Sequence, residues 1–569
     1  MKNKKPNRPL AAAGSNTWAW LAATLGGVIL LFWAYAPAIH GAFVFDDTKQ
    51  QYALPGAVDP LSSWVGPIRP ILMFSYWTNF QISREDTFSY HMVNLLIHGI
   101  TAFLVFLVLR RLLEWSGALE PDRSGFAAFG ALLFLLHPLQ TESVAYIAGR
   151  SESLCGMFSC ASYAAFLYRR SKAISWSGVA LVVALFGAAV LTKEQGVVLP
   201  VLFLLTDFWW SPDGPLRAVR ANWKLYIVLL AGAMAGLALF RALIFSAESA
   251  GFGMKEFTWY QYLFTQFRVL FVYIYSFLLP ANLNIDWEFP ISRTLFDQGS
   301  VFGLVGLLGL AGLAWVYRRR FPLAGYGYFV FLVLLAPTSS ILPIKDPIAD
   351  RRMYLPMVGL ILIAIDLLGR LKLERKVMIG LGAGVVLAAA LTTHARAELW
   401  GNPLALWQDT ALKSPTKVRP HFQLAFAYQD QGRFDLAVAE FQKTANLEPP
   451  SADLLIDWGL AYDALNQPDM ALAKFLQAAG KEPSAHVYTQ IGYIFAKQSR
   501  WKEANQAFDT AERIDPNFAI TFMYKGQVHL ANNEFPAAIA DFEHALQLDP
   551  KLEPARQALL TAQRRLSGR

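Results

Sequence analysis

The residues able to do chemistry sit in short polar stretches between apolar runs. Phe45, Asp46 and Asp47 come first, then Arg69 with Pro70, then Tyr90, His91, Asn94 and His98. A longer stretch runs from His137 through Glu142, Arg150 and Glu152, and Lys193, Glu194, Gln195 and Gly196 follow. Arg241 lies within an apolar run, and Asp286-Trp287-Glu288 and Asp350-Arg351-Arg352 complete the set. Cations and carboxylates therefore recur together. Cations beside a bilayer can hold a lipid-linked phosphate, arginine as a planar fork and lysine as a point charge. A carboxylate can take the proton of an attacking hydroxyl, and fixed cations stabilise charge left on a phosphate leaving group. The same groups also suit salt bridges between loops. Asp46 and Asp47 suit a base, a metal ligand or a helix cap. His91, Asn94 and His98 share one helix face, which serves helix–helix hydrogen bonding as well as substrate binding.

The elements that must position these residues are mostly apolar helices. The 569 residues are 55% hydrophobic and only 16% charged, whereas soluble domains carry about 25% charged residues. Eleven runs are long enough, or nearly so, to cross a bilayer: 18–36, 92–112, 126–139, 154–168, 175–191, 197–210, 225–245, 300–316, 325–342, 353–368 and 377–393. The first is expected to be a span and not a cleaved signal. Positive residues on the cytoplasmic side orient such a bundle. The basic head and the clusters Arg110-Arg111, Arg169-Arg170-Lys172, Arg217-Arg220-Lys224, Arg318 to Arg320 and Arg370 to Lys376 then share that side. The loops 37–91, 140–153, 192–196, 246–299 and 343–352 fall on the other, with everything after residue 394. The stretch 260–279 is apolar but holds Gln261, Gln266 and Arg268, and is expected to lie at the interface or re-enter. The net charge of +8 thus points to a membrane and not to nucleic acid.

The tail has another rhythm. Pro415, Pro449, Pro483, Pro516 and Pro550 recur about every 34 residues. Ala425, Gly459, Gly492 and Gly526 keep the same period, as do Phe441, Phe475, Phe508 and Phe542. Small residues where helices cross and aromatics filling the groove form the tetratricopeptide (TPR) pattern. The expected fold is all-α: a polytopic bundle over 1–396 with its first outer loop at 37–91, a connector over 397–414, and a TPR solenoid over 415–569. No Walker loop, GxSxG, HExxH or CxxC motif occurs; Cys155 and Cys160 are expected to pack.

The ordered set resembles the transmembrane-plus-TPR O-mannosyltransferase family (the TMTC type) within the GT-C glycosyltransferases. The matching pieces are Asp46-Asp47, Arg69-Pro70, Tyr90-His91 with Asn94 and His98, and His137-Pro138 through Glu142 to Gly149-Arg150. Lys193 to Gly196, Asp286-Trp287, Arg351 with Tyr354-Leu355-Pro356, and the repeat tail also match. The resemblance implies an integral membrane enzyme moving a sugar, mannose or another hexose, from a polyprenyl-phosphate donor to Ser or Thr of a protein on the non-cytoplasmic face. It implies an acidic catalytic residue in the first outer loop, carried onto Asp47 or Asp46 with Asp47 preferred; Glu142 is a second acidic candidate. Arg150, Lys193, Arg241 and Arg351 are the expected phosphate contacts, and Arg69, His91, Asn94 and Asp286 further substrate contacts. No cofactor is certain; a divalent metal, Mg or Mn, is the one the acidic pair admits. The expected partners are the polyprenyl-linked sugar, a protein or peptide acceptor in the TPR groove, and membrane lipids. The short array and the ending Leu566-Ser567-Gly568-Arg569 are expected of a bacterial inner-membrane member with periplasmic repeats. A lipid-linked glycan polymerase or ligase, a non-catalytic TPR scaffold for envelope assembly, and a transporter are the competing readings.

Overall fold

The computed structural model describes residues 17–54, 60–66, 68–117, 119, 122–169, 173–211, 214–246 and 251–567. The basic head, Arg170 and Lys172 lie outside the described residues, and so does the side chain of Arg241. Every regular element among the described residues is helical. The chain divides into two compact units, Met1–Leu406 and Trp407–Arg569. That division falls inside the 397–414 segment.

The first unit begins with α1 (Thr17–Tyr35), α2 (Pro70–Ser83), α3 (Thr87–Ser116), α4 (Arg123–Leu136) and the single turn α5 (Thr141–Val144). Next come α6 (Arg150–Leu167), α7 (Trp176–Thr192), α8 (Leu199–Trp210), α9 (Pro215–Ala221) and α10 (Trp223–Ser246). The unit continues with α11 (Trp259–Leu278), α12 (Ser300–Val316), α13 (Pro322–Leu335), α14 (Met357–Leu368) and α15 (Arg375–Trp400). Each of the eleven predicted runs contains a helix. Among the described residues, four helical stretches are long and apolar enough to cross a membrane singly: Leu21–Ala38, Thr87–Ser116, Asp297–Val316 and Arg375–Trp400. A fifth is a pair, Arg123–Leu136 with Pro138–Val144, bent by 49°, because Pro138 supplies no N–H to continue α4. The run 325–342 is helical only to Leu335, and α14 begins at Met357, after the 3₁₀ turn Asp350–Met353. The 260–279 segment is the helix α11, and its polar residues face protein: Gln266 Nε2 donates to Pro347 O at 2.9 Å.

Small residues let these helices approach closely, as expected where apolar burial alone does not drive association. A Cβ on Gly359 of α14 would lie 2.4 Å from Gly327 O of α13, and one on Gly303 of α12 the same distance from Phe267 O of α11. Polar side chains tie the two ends of the bundle separately. At one end, Arg111 donates to Leu167 O, Arg169 pairs with Asp207 at 3.0 Å, and Asp366 accepts the N–H groups of Leu323 and Ala324. At the other, the first turns of α3 and α6 meet the last turns of α1, α4, α7 and α15: Thr393 Oγ1 donates to Leu136 O at 2.7 Å, and Arg150 reaches Asn94.

The second unit is a stack of helix pairs. These are α17 (Val418–Asp430) with α18 (Phe434–Leu447), α19 (Ala452–Ala464) with α20 (Pro468–Lys481), α21 (Ala485–Lys497) with α22 (Trp501–Ile514), and α23 (Ala519–Ala531) with α24 (Phe535–Leu548). Helix α16 (Pro403–Lys413) precedes them and α25 (Glu553–Leu566) ends the stack. The periodic glycines are explained by the periodic phenylalanines. A Cβ at Gly459, Gly492 or Gly526 would come within 2.5 to 2.8 Å of the ring of Phe475, Phe508 or Phe542, and all three rings are buried.

Candidate functional site

The polar stretches converge at the second end of the bundle. The 3₁₀ turn Phe45–Lys49 carries the acidic pair. Its two members have opposite environments: Asp46 is exposed, whereas Asp47 is 1% exposed. Asp47 Oδ1 accepts Tyr52 Oη at 2.9 Å and the Ala148 N–H at 2.8 Å, and Oδ2 accepts the Val44 N–H at 3.2 Å. Burial nevertheless pushes its carboxyl up to about 7, outweighing those donors. The Asp47 oxygens are committed to protein donors, whereas the Asp46 side chain is exposed.

The segment from Glu142 to Arg150 folds around a peg. Asn94 Nδ2 donates to the carbonyls of Val144, Tyr146 and Ile147 at 3.2 to 3.4 Å. Arg150 Nε donates to Asn94 Oδ1 at 2.7 Å, Nη1 to Asn79 Oδ1 at 2.6 Å, and Nη2 to Tyr90 O at 3.0 Å. The guanidinium is fully buried and lies 4.7 Å over the Tyr76 ring. Arg150 and Asn94, expected as substrate contacts, are both buried and engaged with protein partners, and the guanidinium serves as an internal strut. His91, 4% exposed, is likewise occupied with Gly41 O at 3.1 Å. Asp286 is also buried, with its N–H donating to Asn284 Oδ1 at 3.3 Å.

Three cations remain at the surface of the site, each held by a carboxylate. Arg351 pairs with Glu142 at 2.5 Å, and its N–H donates to the other Glu142 oxygen at 2.8 Å. Lys193, at the C-cap of α7, pairs with Glu152 and donates to Ser151 at 3.2 Å. Burial pulls its ammonium below the usual lysine range against the charge of Glu152. Arg69, in a left-handed conformation before Pro70, forms a two-pronged pair with Glu194 at 2.9 and 2.8 Å. Arg351 acts electrostatically on Lys193, and Glu152 on both Arg351 and Arg69, so the three pairs form one field. Beside them is a small cavity of about 30 Å³. Glu152, Gln195, Ser159 and Arg352 give it a polar part, and Cys155, Val198, Leu334, Leu355 and Pro356 an apolar one. Cys155 and Cys160 are buried free thiols.

Asp350 completes the cluster. It accepts the Asn284 N–H at 3.0 Å and Trp287 Nε1 at 2.9 Å. Burial, then the Glu142 charge, pushes its carboxyl well above the ordinary range while Arg396 opposes them. Sequence reasoning missed Arg396, Trp400, Asn79 and Tyr146 as members of the site. A cation and an indole in the last two turns of an apolar run are signals that would have drawn notice to Arg396 and Trp400. Asp46 and Asp47 face different surroundings, and no group of three His, Cys, Asp or Glu among the described residues is arranged to hold a metal.

Comparison with known proteins agrees with this architecture. The family model described as "Tetratricopeptide repeat" matches residues 456–517 and 489–553. A Caenorhabditis elegans protein named protein O-mannosyl-transferase F38B6.6 is 26% identical over 442 residues, covering 73% of this chain and 61% of its own length. Protein O-mannosyl-transferase TMTC3 of Mus musculus is 24% identical over 541 residues, covering 84% and 57%. The homologues of this chain are TMTC-type protein O-mannosyl-transferases. The chain spans about three fifths of the length of these TMTC relatives. The residues matched by the repeat model lie within the second unit.

Proposed function

We propose that this chain is an integral membrane glycosyltransferase. It moves a sugar, mannose or another hexose, from a polyprenyl-phosphate donor to a Ser or Thr hydroxyl of a protein on the non-cytoplasmic side. The observation that carries the reading is an exposed carboxylate, Asp46, at the same end of the bundle as the Arg351–Glu142, Lys193–Glu152 and Arg69–Glu194 pairs. The homology to protein O-mannosyl-transferases supports the reaction class. The basic clusters at the far end of the bundle support a cytoplasmic placement of that end.

In this mechanism the donor phosphate sits against Arg351, Lys193 and Arg69, with its prenyl tail among the apolar helices. Asp46 takes the acceptor proton as the hydroxyl oxygen bonds to the anomeric carbon. The bond between that carbon and the phosphate oxygen breaks, and the polyprenyl phosphate leaves with the electron pair. One displacement inverts the anomeric centre. Glu142, Glu152 and Glu194 hold the cations in place before the donor arrives, and the TPR unit recruits the acceptor protein.

The test uses the purified full chain in proteoliposomes with undecaprenyl-phosphate-mannose and a Ser/Thr peptide. Asp46→Asn is expected to lower transfer by about 10²-fold or more while the protein stays folded. Wild-type transfer rates in that variant would reject Asp46 as the base.

A further inference from the structure

We propose that Tyr146 is a positioning residue for this transfer: its phenol oxygen clamps the backbone of Asp46, and Trp400 holds the phenol in place. The proposal rests on the reading of Asp46 as the base. Four observations converge on it. The Asp46 N–H donates to Tyr146 Oη at 3.0 Å, across 100 residues of sequence. Phe45, immediately before Asp46, has φ = 56°, a left-handed conformation that costs energy for a bulky aromatic residue and persists only where neighbours impose it. The Tyr146 ring stacks on Trp400 at 5.5 Å and 24°, and lies 6.1 Å from the Phe45 ring. Tyr146 and Trp400 are each 2% exposed, and the Tyr146 carbonyl is held by Asn94 at 3.3 Å.

The consequence is a fixed origin for a mobile acid. The Asp46 side chain is exposed and nothing locks its carboxylate, so the position of its backbone decides where the carboxylate can reach. The strained turn at Phe45 would relax without a partner for the Asp46 N–H. Tyr146 supplies that partner, and its charge environment links the acidic pair to Arg351. Base and phosphate cation are thereby held in one frame, a preorganisation worth much in rate when the reacting groups must be held near attack distance. Trp400 is the last residue of α15, whose other anchors are Thr393 on Leu136 O and His394 on Trp33 O at 2.8 Å. The clamp is therefore seated on a well-fixed helix end and not on a loose loop.

Tyr146→Phe removes the hydroxyl and keeps the stacked ring. In the full chain in nanodiscs, residue-resolved amide hydrogen exchange is expected to rise at Asp46 by about fivefold, the loss of one ordinary hydrogen bond. The amides of Asp47 and Gln50, which donate to Val44 O at 3.0 Å and Asp47 O at 2.9 Å, should keep their protection. With undecaprenyl-phosphate-mannose and a Ser/Thr peptide, kcat should fall several-fold at unchanged donor KM. Trp400→Ala, which removes the stacked ring, should likewise raise exchange at Asp46 and lower kcat. Unchanged exchange at Asp46 in Tyr146→Phe, or unchanged kcat despite faster exchange, overturns the proposal. If the wild type transfers no sugar, the transfer reading fails, while the exchange pattern still decides whether the clamp exists.

Discussion

Replacing Arg150 by lysine separates two roles that the sequence leaves equivalent. As a phosphate contact, Arg150 would be spared in stability and costly in donor KM. As the strut seen here, it should behave in the opposite way. The guanidinium serves Asn94, Asn79 and Tyr90 at 2.6 to 3.0 Å and Ser75 O at 3.2 Å. These acceptors diverge around a planar fork. A lysine ammonium keeps the charge but can satisfy at most part of them. Leaving one or two buried acceptors without a donor costs about 1–3 kcal/mol each, so the expected loss is ~3 kcal/mol. Arg150→Met, which abandons every acceptor, should lose more. Thermal unfolding in detergent, followed by tryptophan fluorescence, should show the midpoint falling by several degrees in Arg150→Lys, with donor KM of the folded fraction unchanged. A wild-type midpoint together with a tenfold rise in donor KM would refute the assignment as a strut.

Other expectations follow from the same geometry. Asp47 sits with its carboxyl pushed up to about 7 by burial, so the folded state holds that proton more tightly than the unfolded chain. Its contribution is greatest below the unfolded value of about 4 and is lost as pH rises through about 7, on the order of 4 kcal/mol. The unfolding midpoint should fall between pH 5 and 8, less steeply in Asp47→Asn; an equal slope in both would discount the group. Gly149→Ala would place a Cβ 2.5 Å from Glu142 O and 3.0 Å from Ser143 Cα, backbone that cannot yield, and should cost about 1–3 kcal/mol, read as a lowered midpoint. Truncation after Leu406 should keep transfer to a short peptide and lose the protein acceptor in a glycoproteomic comparison. Unchanged glycosylation of that acceptor would exclude recruitment by the repeats.

Local rules carried the sequence reading a long way. The 34-residue period fixed the helix pairs, because a small residue, Ala425 and then Gly459, Gly492 and Gly526, recurs in each repeat, and the three glycines face a phenylalanine ring. The apolar runs located the helices of the first unit, because a continuous apolar stretch has few other ways to satisfy its backbone beside lipid. The break at Pro138 and the late start of α14 were less legible, since both depend on which carbonyls the following loop must serve. Within the site, residue types marked the right stretches but not the individual roles. Asp46 and Asp47 are the same residue, one position apart, in the same turn. One faces solvent and the other is sealed by Tyr52, Val44 and Ala148.

What the sequence by itself determined, then, is the set of helices, the repeat architecture and the loops that hold the charges. Those follow from periodicity and composition, which act over a few turns of chain. Only the tertiary structure decided which charges are buried and fully engaged and which keep an exposed face. Arg150 and Arg351 are alike in type and in loop setting. Burial and partners 56 to 209 residues away make the first a strut and leave the second beside the cavity, and no local signal encodes desolvation by residues so distant in the chain.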